Sequence, residues 1–220
     1  MTKAFVSLLF FLSFFLQAKE KPSLLHYNYK VTQNGTSYGR TLTLEKNTTH
    51  IKIEANDEKN GNEKILLSKE TEKLLEAQYE EPGQKILTIF VDNIGKKVLL
   101  KKDRSKEFKL TQDTFTSESL HYVGSSPGKN LGLNETKIFY FITSKSFEER
   151  KMTFTYLGEK SVNLADREIL VKQFEMKVDG FFESIFWPYT YFFWYEADTG
   201  LIVRYEGREP NKELKIIEII

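Results

Sequence analysis

The chain has no cysteine and no surplus of charge of either sign. Its 220 residues hold 32 Lys plus Arg against 31 Asp plus Glu, with only five Pro, two Trp and three His. Zero cysteine excludes a disulfide scaffold, a thiolate zinc site, an iron–sulfur cluster and a cysteine nucleophile. The charge balance leaves no basic stripe to displace counterions, so no nucleic acid is expected as a partner. The sequence has no P-loop and no G-x-G-x-x-G, and His26, His50 and His121 show no metal-ligand spacing. No cofactor and no metal are expected.

Long hydrophobic runs are also scarce, with one exception. Met1-Thr2-Lys3 is a short positive start, Ala4 to Leu16 is almost unbroken apolar sequence, and Gln17-Ala18 precedes the charged Lys19-Glu20-Lys21. That order is the pattern of a secretory signal peptide. Thirteen helical residues reach about 20 Å, short of a hydrocarbon core of about 30 Å, which argues against a membrane anchor. Residues 1–18 are therefore expected to be a cleaved signal peptide, and residues 19–220 a single β-rich domain. The expected destination is the periplasm or the exterior, since a cysteine-free exported chain relies on its core rather than on disulfides. Removing residues 1–18 takes away Lys3 and five Phe, leaving 31 bases, 31 acids and 26 aromatic residues.

What is abundant is alternation. Tyr27, Tyr29 and Val31 alternate with Asn28, Lys30 and Thr32, and Ile51, Ile53 and Ala55 alternate with His50, Lys52 and Glu54. Met152, Phe154 and Tyr156 are spaced by Thr153 and Thr155. A period of two puts one set on each face of a strand, so these are half-buried antiparallel strands. Residues 85–91, 96–102, 136–143, 168–178, 189–196, 201–207 and 213–219 follow the same rule. Asn34-Gly35, Asn60-Gly61, Pro82-Gly83, Asp179-Gly180 and Asp198-Thr199-Gly200 supply the turns between them. Residues 68–79 lean to strand, although Ser68 could cap a short helix. Residues 117–123 suit one helical turn, and residues 124–134 make the longest loop. The fold class expected is all-β: a long antiparallel meander forming a strongly curved sheet or open barrel, with at most one short helix.

No catalytic motif survives inspection, so the chain is not expected to be an enzyme. Gly124-Ser125-Ser126-Pro127-Gly128 fits G-x-S-x-G, but the oxyanion hole needs the N–H of the residue after the serine. Pro127 has none. All three histidines also precede Ser126, against the order that this hydrolase motif requires. The carboxylate pairs Glu80-Glu81 and Glu148-Glu149 are interleaved with charge and suit solvated strand edges.

The strongest local feature is the segment from Phe181 to Tyr195, where ten of 15 residues are aromatic. Phe186, Trp187, Tyr189, Tyr191, Phe193, Trp194 and Tyr195 are the candidate ligand-binding residues. Tyr189, Tyr191, Phe193 and Tyr195 share one strand face; Phe192 and Trp194 share the other. Two readings stay open: a central strand covered on both sides, or one face lining a groove for an apolar ligand. The next strand, from Leu201 to Gly207, pairs back across the Asp198-Thr199-Gly200 turn. A register with one bulged residue sets Arg204 beside Trp194 for a cation–π contact.

That hairpin, Tyr191-Phe192-Phe193-Trp194-Tyr195-Glu196-Ala197-Asp198-Thr199-Gly200-Leu201-Ile202-Val203-Arg204-Tyr205-Glu206-Gly207, resembles the closing motif of a bacterial envelope family, domain of unknown function 3108. Tyr27-Asn28-Tyr29-Lys30-Val31 and Thr41-Leu42-Thr43-Leu44 are similar to its start. The resemblance implies an exported, β-rich protein without an established enzymatic role, and it brings no catalytic residues with it. The function expected is a non-catalytic exported protein that binds a lipid, another apolar ligand or a lipid-bearing partner in a curved sheet. The alternative is an envelope protein-interaction module acting through a sheet edge or the loop 124–134.

Overall fold

The computed structural model describes residues 23–59, 61–81, 84–91, 96–101, 104–109, 114–121, 128, 130–143, 148–164, 167–208 and 213–220. The expected signal peptide lies outside them. Fifteen strands form along the described residues: β1 (Ser23–Gln33), β2 (Thr36–Lys46), β3 (His50–Asp57), β4 (Gly61–Ser68), β5 (Leu74–Glu81), β6 (Gln84–Val91), β7 (Lys96–Lys101), β8 (Arg104–Lys109), β9 (Thr114–Thr116), β10 (Thr136–Thr143), β11 (Glu148–Leu164), β12 (Arg167–Val178), β13 (Thr190–Glu196), β14 (Ile202–Arg208) and β15 (Leu214–Ile219). A 3-10 turn, Ser117–His121, follows β9, and one short helix, α1 (Phe181–Phe186), joins β12 to β13.

All fifteen strands belong to one sheet, in the order β8-β7-β6-β5-β4-β3-β2-β1-β15-β14-β13-β12-β11-β10-β9. Each chain half is a meander, and the antiparallel pairing of β1 with β15 splices the two halves into one surface. Only β9 and β10 run parallel among the described pairs. The two edges, β8 and β9, are consecutive in the chain, separated by residues 110–113. A connection of that length spans at most about 18 Å. A flat sheet of fifteen strands would hold its edges about 67 Å apart. The sheet must therefore curl until its edges come near each other, and it does so as an open barrel.

Alternation decides which side faces in. Along β3 the pattern from His50 to Asp57 switches between buried and more exposed at every residue. Cross-strand partners carry the inward set around the sheet: Leu44 opposes Ile53, Ile53 opposes Ile65, and Ile65 opposes Ala77. Asn34 and Gly35 close the β1–β2 hairpin with φ of 53° and 74°, the positive values that a two-residue turn of this hand demands. The buried side chains form two clusters. One, rich in Leu and Ile, is built chiefly on β2 to β5; the other, rich in aromatic residues, on β10 to β14. In the second, Phe154 stacks on Phe174 at 4.8 Å and meets Phe139 edge-on at 6.1 Å. Such pairs add about 0.5–1.5 kcal/mol each beyond the area they bury.

Several local expectations shift. Ser68 does cap a turn, but not a helix: its hydroxyl accepts the Thr71 N–H and its carbonyl the Glu72 N–H, and β5 begins at Leu74. The helical turn expected at 117–123 is a 3-10 turn. The short α-helix lies instead at the start of the aromatic segment, where the Ser184 N–H reaches back to the Gly180 carbonyl and Pro188 limits extension. Strand β4 was not among the expected runs, nor were β8 and β9, which carry little periodicity. Both suit an edge: β8 is charge-rich Arg-Ser-Lys-Glu-Phe-Lys, and β9 is three residues long with all three buried.

The 3-10 turn plugs the interior. The Tyr195 hydroxyl donates to the Leu120 carbonyl at 3.0 Å, and Thr116 and Ser119 join their hydroxyls at 3.3 Å. Lys73, just before β5, sits 5.3 Å from the Phe115 ring of β9, bridging toward the far edge. Across the splice, the Tyr29 hydroxyl donates to the Ile202 carbonyl at 2.7 Å. Burial pushes the Tyr29 and Tyr195 phenols well above their ordinary value. In the unfolded chain both ionise near pH ~10, while the folded chain keeps its protons. The stability they contribute is thus present below pH ~10 and lost as pH rises toward their folded values. Urea titrations between pH 8 and 11 should show a falling midpoint, with a shallower fall in Tyr29→Phe and Tyr195→Phe. At pH 7, Tyr195→Phe should cost on the order of 1 kcal/mol for the lost bond to Leu120.

Candidate functional site

Between the two clusters the curled sheet leaves a cavity of about 320 Å³. Its wall draws on ten strands, from β5 on one side to β10 on the other, and on the 3-10 turn. Leu42, Leu120, Met152, Met176, Phe193 and Ile202 give it an apolar body. Arg40, Glu63, Glu148, Arg150, Arg208 and Lys215 line it as well, so its surface is amphipathic.

The register explains how the two characters are sorted. Reading inward-facing positions toward one end of the barrel, β2 runs Leu44, Leu42, Arg40; β4 runs Leu67, Ile65, Glu63; β11 runs Phe154, Met152, Arg150; and β15 runs Ile219, Ile217, Lys215. On each of these four strands the same face changes from apolar to charged at the same end. Arg40 is 7% exposed and donates to Glu63 at 2.8 Å, while Asp57 opposes it across the ladder. Arg150 donates to Glu148 at 2.7 Å and lays its guanidinium 4.4 Å from the Trp187 ring centre. A guanidinium held against an indole face keeps its charge while shedding part of its hydration.

The aromatic segment divides around this cavity. Trp187, Tyr191 and Phe193 line it. The Trp187 indole N–H donates to the Tyr191 hydroxyl at 2.8 Å, fixing both rings. Tyr189 packs edge-on against Trp187 at 5.4 Å and serves as a buttress. Tyr195 stacks on Phe193 at 6.1 Å, buried outside the lining and holding the 3-10 turn. Trp194 points to the opposite face, in the cluster with Ile169, Val171, Leu201 and Val203. The Phe186 side chain lies outside the described residues. Three candidates thus fall outside the lining: Tyr189 stands behind Trp187, alternation turns Trp194 away, and Tyr195 sits one inward step deeper than Phe193. The strand is covered on both sides and also walls a hollow.

Gly207 makes the aromatic wall possible. A Cβ there would come 2.5 Å from a Tyr191 ring carbon and 2.5 Å from the Tyr205 hydroxyl. Tyr191 and Tyr205 stack across it with centres 6.5 Å apart. The Arg204 arrangement is as the bulged register requires: Trp194 opposes Arg204, with the shift between Trp194 and Tyr195. The Arg204 guanidinium lies 5.4 Å from the Trp194 ring and donates to Glu218 at 3.0 Å and Glu206 at 3.3 Å. The turn motif of this hairpin is structural. The Thr199 hydroxyl donates to the Glu196 carboxylate at 2.6 Å, and the Gly200 N–H to the Glu196 carbonyl at 2.9 Å.

Sequence reasoning missed Tyr29, Arg40, Leu42, Glu63, Met152, Arg150 and Lys215. The signal that could have found them is the repeated change from apolar to charged along one strand face. Among the described residues no group of three or more His, Asp or Glu side chains comes together as a metal site. The G-x-S-x-G serine falls at residues 122–127, outside those described.

These features define a class: an open, strongly curved antiparallel β-barrel with an amphipathic internal cavity. No protein-family model matches the chain, and comparison with curated proteins finds no match. Among solved structures, a β-barrel-like protein of domain of unknown function 1849 from Brucella abortus aligns over 90% of this chain and 98% of its own, at 8% identity and a TM-score of 0.51. That likeness shows the fold. The hypothetical lipoprotein YmcC from Escherichia coli K12 covers 98% of this chain and 96% of its own, at 13% identity and a TM-score of 0.36, too distant to bear on function.

A double-mutant cycle tests the hairpin. Trp194→Leu and Arg204→Gln should show a coupling of about 0.5–1 kcal/mol in urea denaturation. Strict additivity would mean that the contact contributes nothing.

Proposed function

We propose that the protein is a non-catalytic envelope protein that holds a lipid or other apolar ligand inside its curved sheet. The observation that carries this reading is the cavity of about 320 Å³, walled by Leu42, Met152, Met176 and Phe193. Ligand sites begin at about 300 Å³ and are mostly apolar with a few placed polar groups. The leader-like residues 1–18 and the resemblance to domain of unknown function 3108 support an envelope location. The ligand-contacting members of the aromatic segment are then Trp187, Tyr191 and Phe193, with Tyr189 in support.

The rival reading, an envelope protein-interaction module, draws less support. The β8 edge is interrupted by charge and β9 is short and buried, so neither offers a long apolar ladder to a partner strand. Of the loop 124–134, residues 124–127 and 129 lie outside the described residues.

The test fills the hollow. Met152 lines the cavity and is almost wholly buried. The wild-type protein should bind the neutral fluorophore N-phenyl-1-naphthylamine with a blue shift and a gain in intensity. Met152→Trp should lose at least tenfold in affinity while its far-UV spectrum and thermal midpoint stay near wild type. Undiminished binding by a folded Met152→Trp would place the ligand elsewhere and overturn the proposal.

A further inference from the structure

The charged end of the cavity says more about the ligand than its apolar body does. Four basic side chains line it, Arg40, Arg150, Arg208 and Lys215, against two acidic ones, Glu63 and Glu148. The mature chain is neutral as a whole, so this local excess does not follow from composition. Two of the bases are held in place. Arg40 is nearly wholly buried and gives one of its five N–H donors to Glu63, and Arg150 is clamped between Glu148 and the Trp187 ring. A guanidinium fixed at the boundary of an apolar hollow is matched in geometry and charge by a carboxylate or a phosphate.

The volume limits the other part of the ligand. A cavity of 150 Å³ takes one benzene ring. The 320 Å³ here has room for on the order of a dozen carbon atoms, one chain rather than two. The sorted strand faces give that chain a direction, since Leu42, Met152 and Ile217 each lie one inward step from Arg40, Arg150 and Lys215.

We propose that the cavity takes a single-chain amphiphile with an anionic headgroup. The chain lies among Leu42, Met152, Met176 and Phe193, and the carboxylate or phosphate lies among Arg40, Arg150 and Lys215. This rests on the apolar-ligand reading above and adds to it the sign of the headgroup and the number of chains.

The test is calorimetric titration of the folded protein, freed of its leader, with four probes that share one chain: dodecanoate, dodecyl phosphate, dodecanol and dodecyltrimethylammonium. Each is used below its micelle concentration. The two anions should bind at least tenfold tighter than the alcohol, and the cation should bind weakest. Their ratio to each other assigns carboxylate or phosphate. In Arg150→Gln/Lys215→Gln the anions should fall to within threefold of dodecanol, while dodecanol itself keeps its affinity, which reports that the double variant is folded. Equal binding of all four probes would overturn the headgroup inference and leave the apolar-ligand reading standing. Binding of none would overturn both.

Discussion

The structure depends on one covalent constraint: the two edges of a fifteen-stranded sheet are tied together by four residues. Every strand between β8 and β9 must share in the curl that this tether imposes. Curling separates the two faces of the sheet into an inside and an outside. The inside then has to be filled by side chains drawn from strands that are far apart in sheet order. Tyr79 of β5 and Phe141 of β10 line the same cavity although nine strands stand between them. The hydrogen bond from Tyr29 to Ile202 and the β1–β15 ladder join the chain's two halves, so neither half completes an interior by itself.

The way the interior is filled sets the site. Aliphatic side chains crowd one side and aromatic rings the other, and a gap is left where neither set reaches across. Sealed and dry, a gap of about 320 Å³ would forfeit on the order of 8 kcal/mol. That is comparable to the whole stability of a typical domain. Lining one end with arginine, lysine and glutamate avoids a sealed interior. It also requires that those charges be matched or solvated, which Arg40–Glu63 and Arg150–Glu148 achieve in pairs. The hollow and the charged end are therefore two parts of one solution.

The strands were legible because alternation is a local property: the face of Tyr27, Tyr29 and Val31 or of Ile51, Ile53 and Ala55 can be read without knowing what it packs against. The pairing of Trp194 with Arg204 was legible for the same reason, given one bulge in a short hairpin. Strands β8 and β9 were not, because an edge strand needs charge or brevity more than it needs an apolar face. The cavity was hidden for a different reason. Phe193 and Tyr195 are both large aromatic residues on the same strand face. Only the curvature, set by residues far away in the chain, decides that one borders the hollow and the other anchors Leu120. Arg40 and Arg150 belong to no local motif, and the same curvature brings both to the cavity.

Because β8 and β9 do not pair among the described residues, the barrel is a tube slit along its length. A closed cylinder resists twisting through its continuous wall, whereas a slit one yields by sliding its two lips past each other. The β9 lip and the 3-10 turn instead meet β5, three strands in from β8, through Lys73 on Phe115 and through the turn packed against β5. Shear at that single seam would leave all fourteen strand pairings intact.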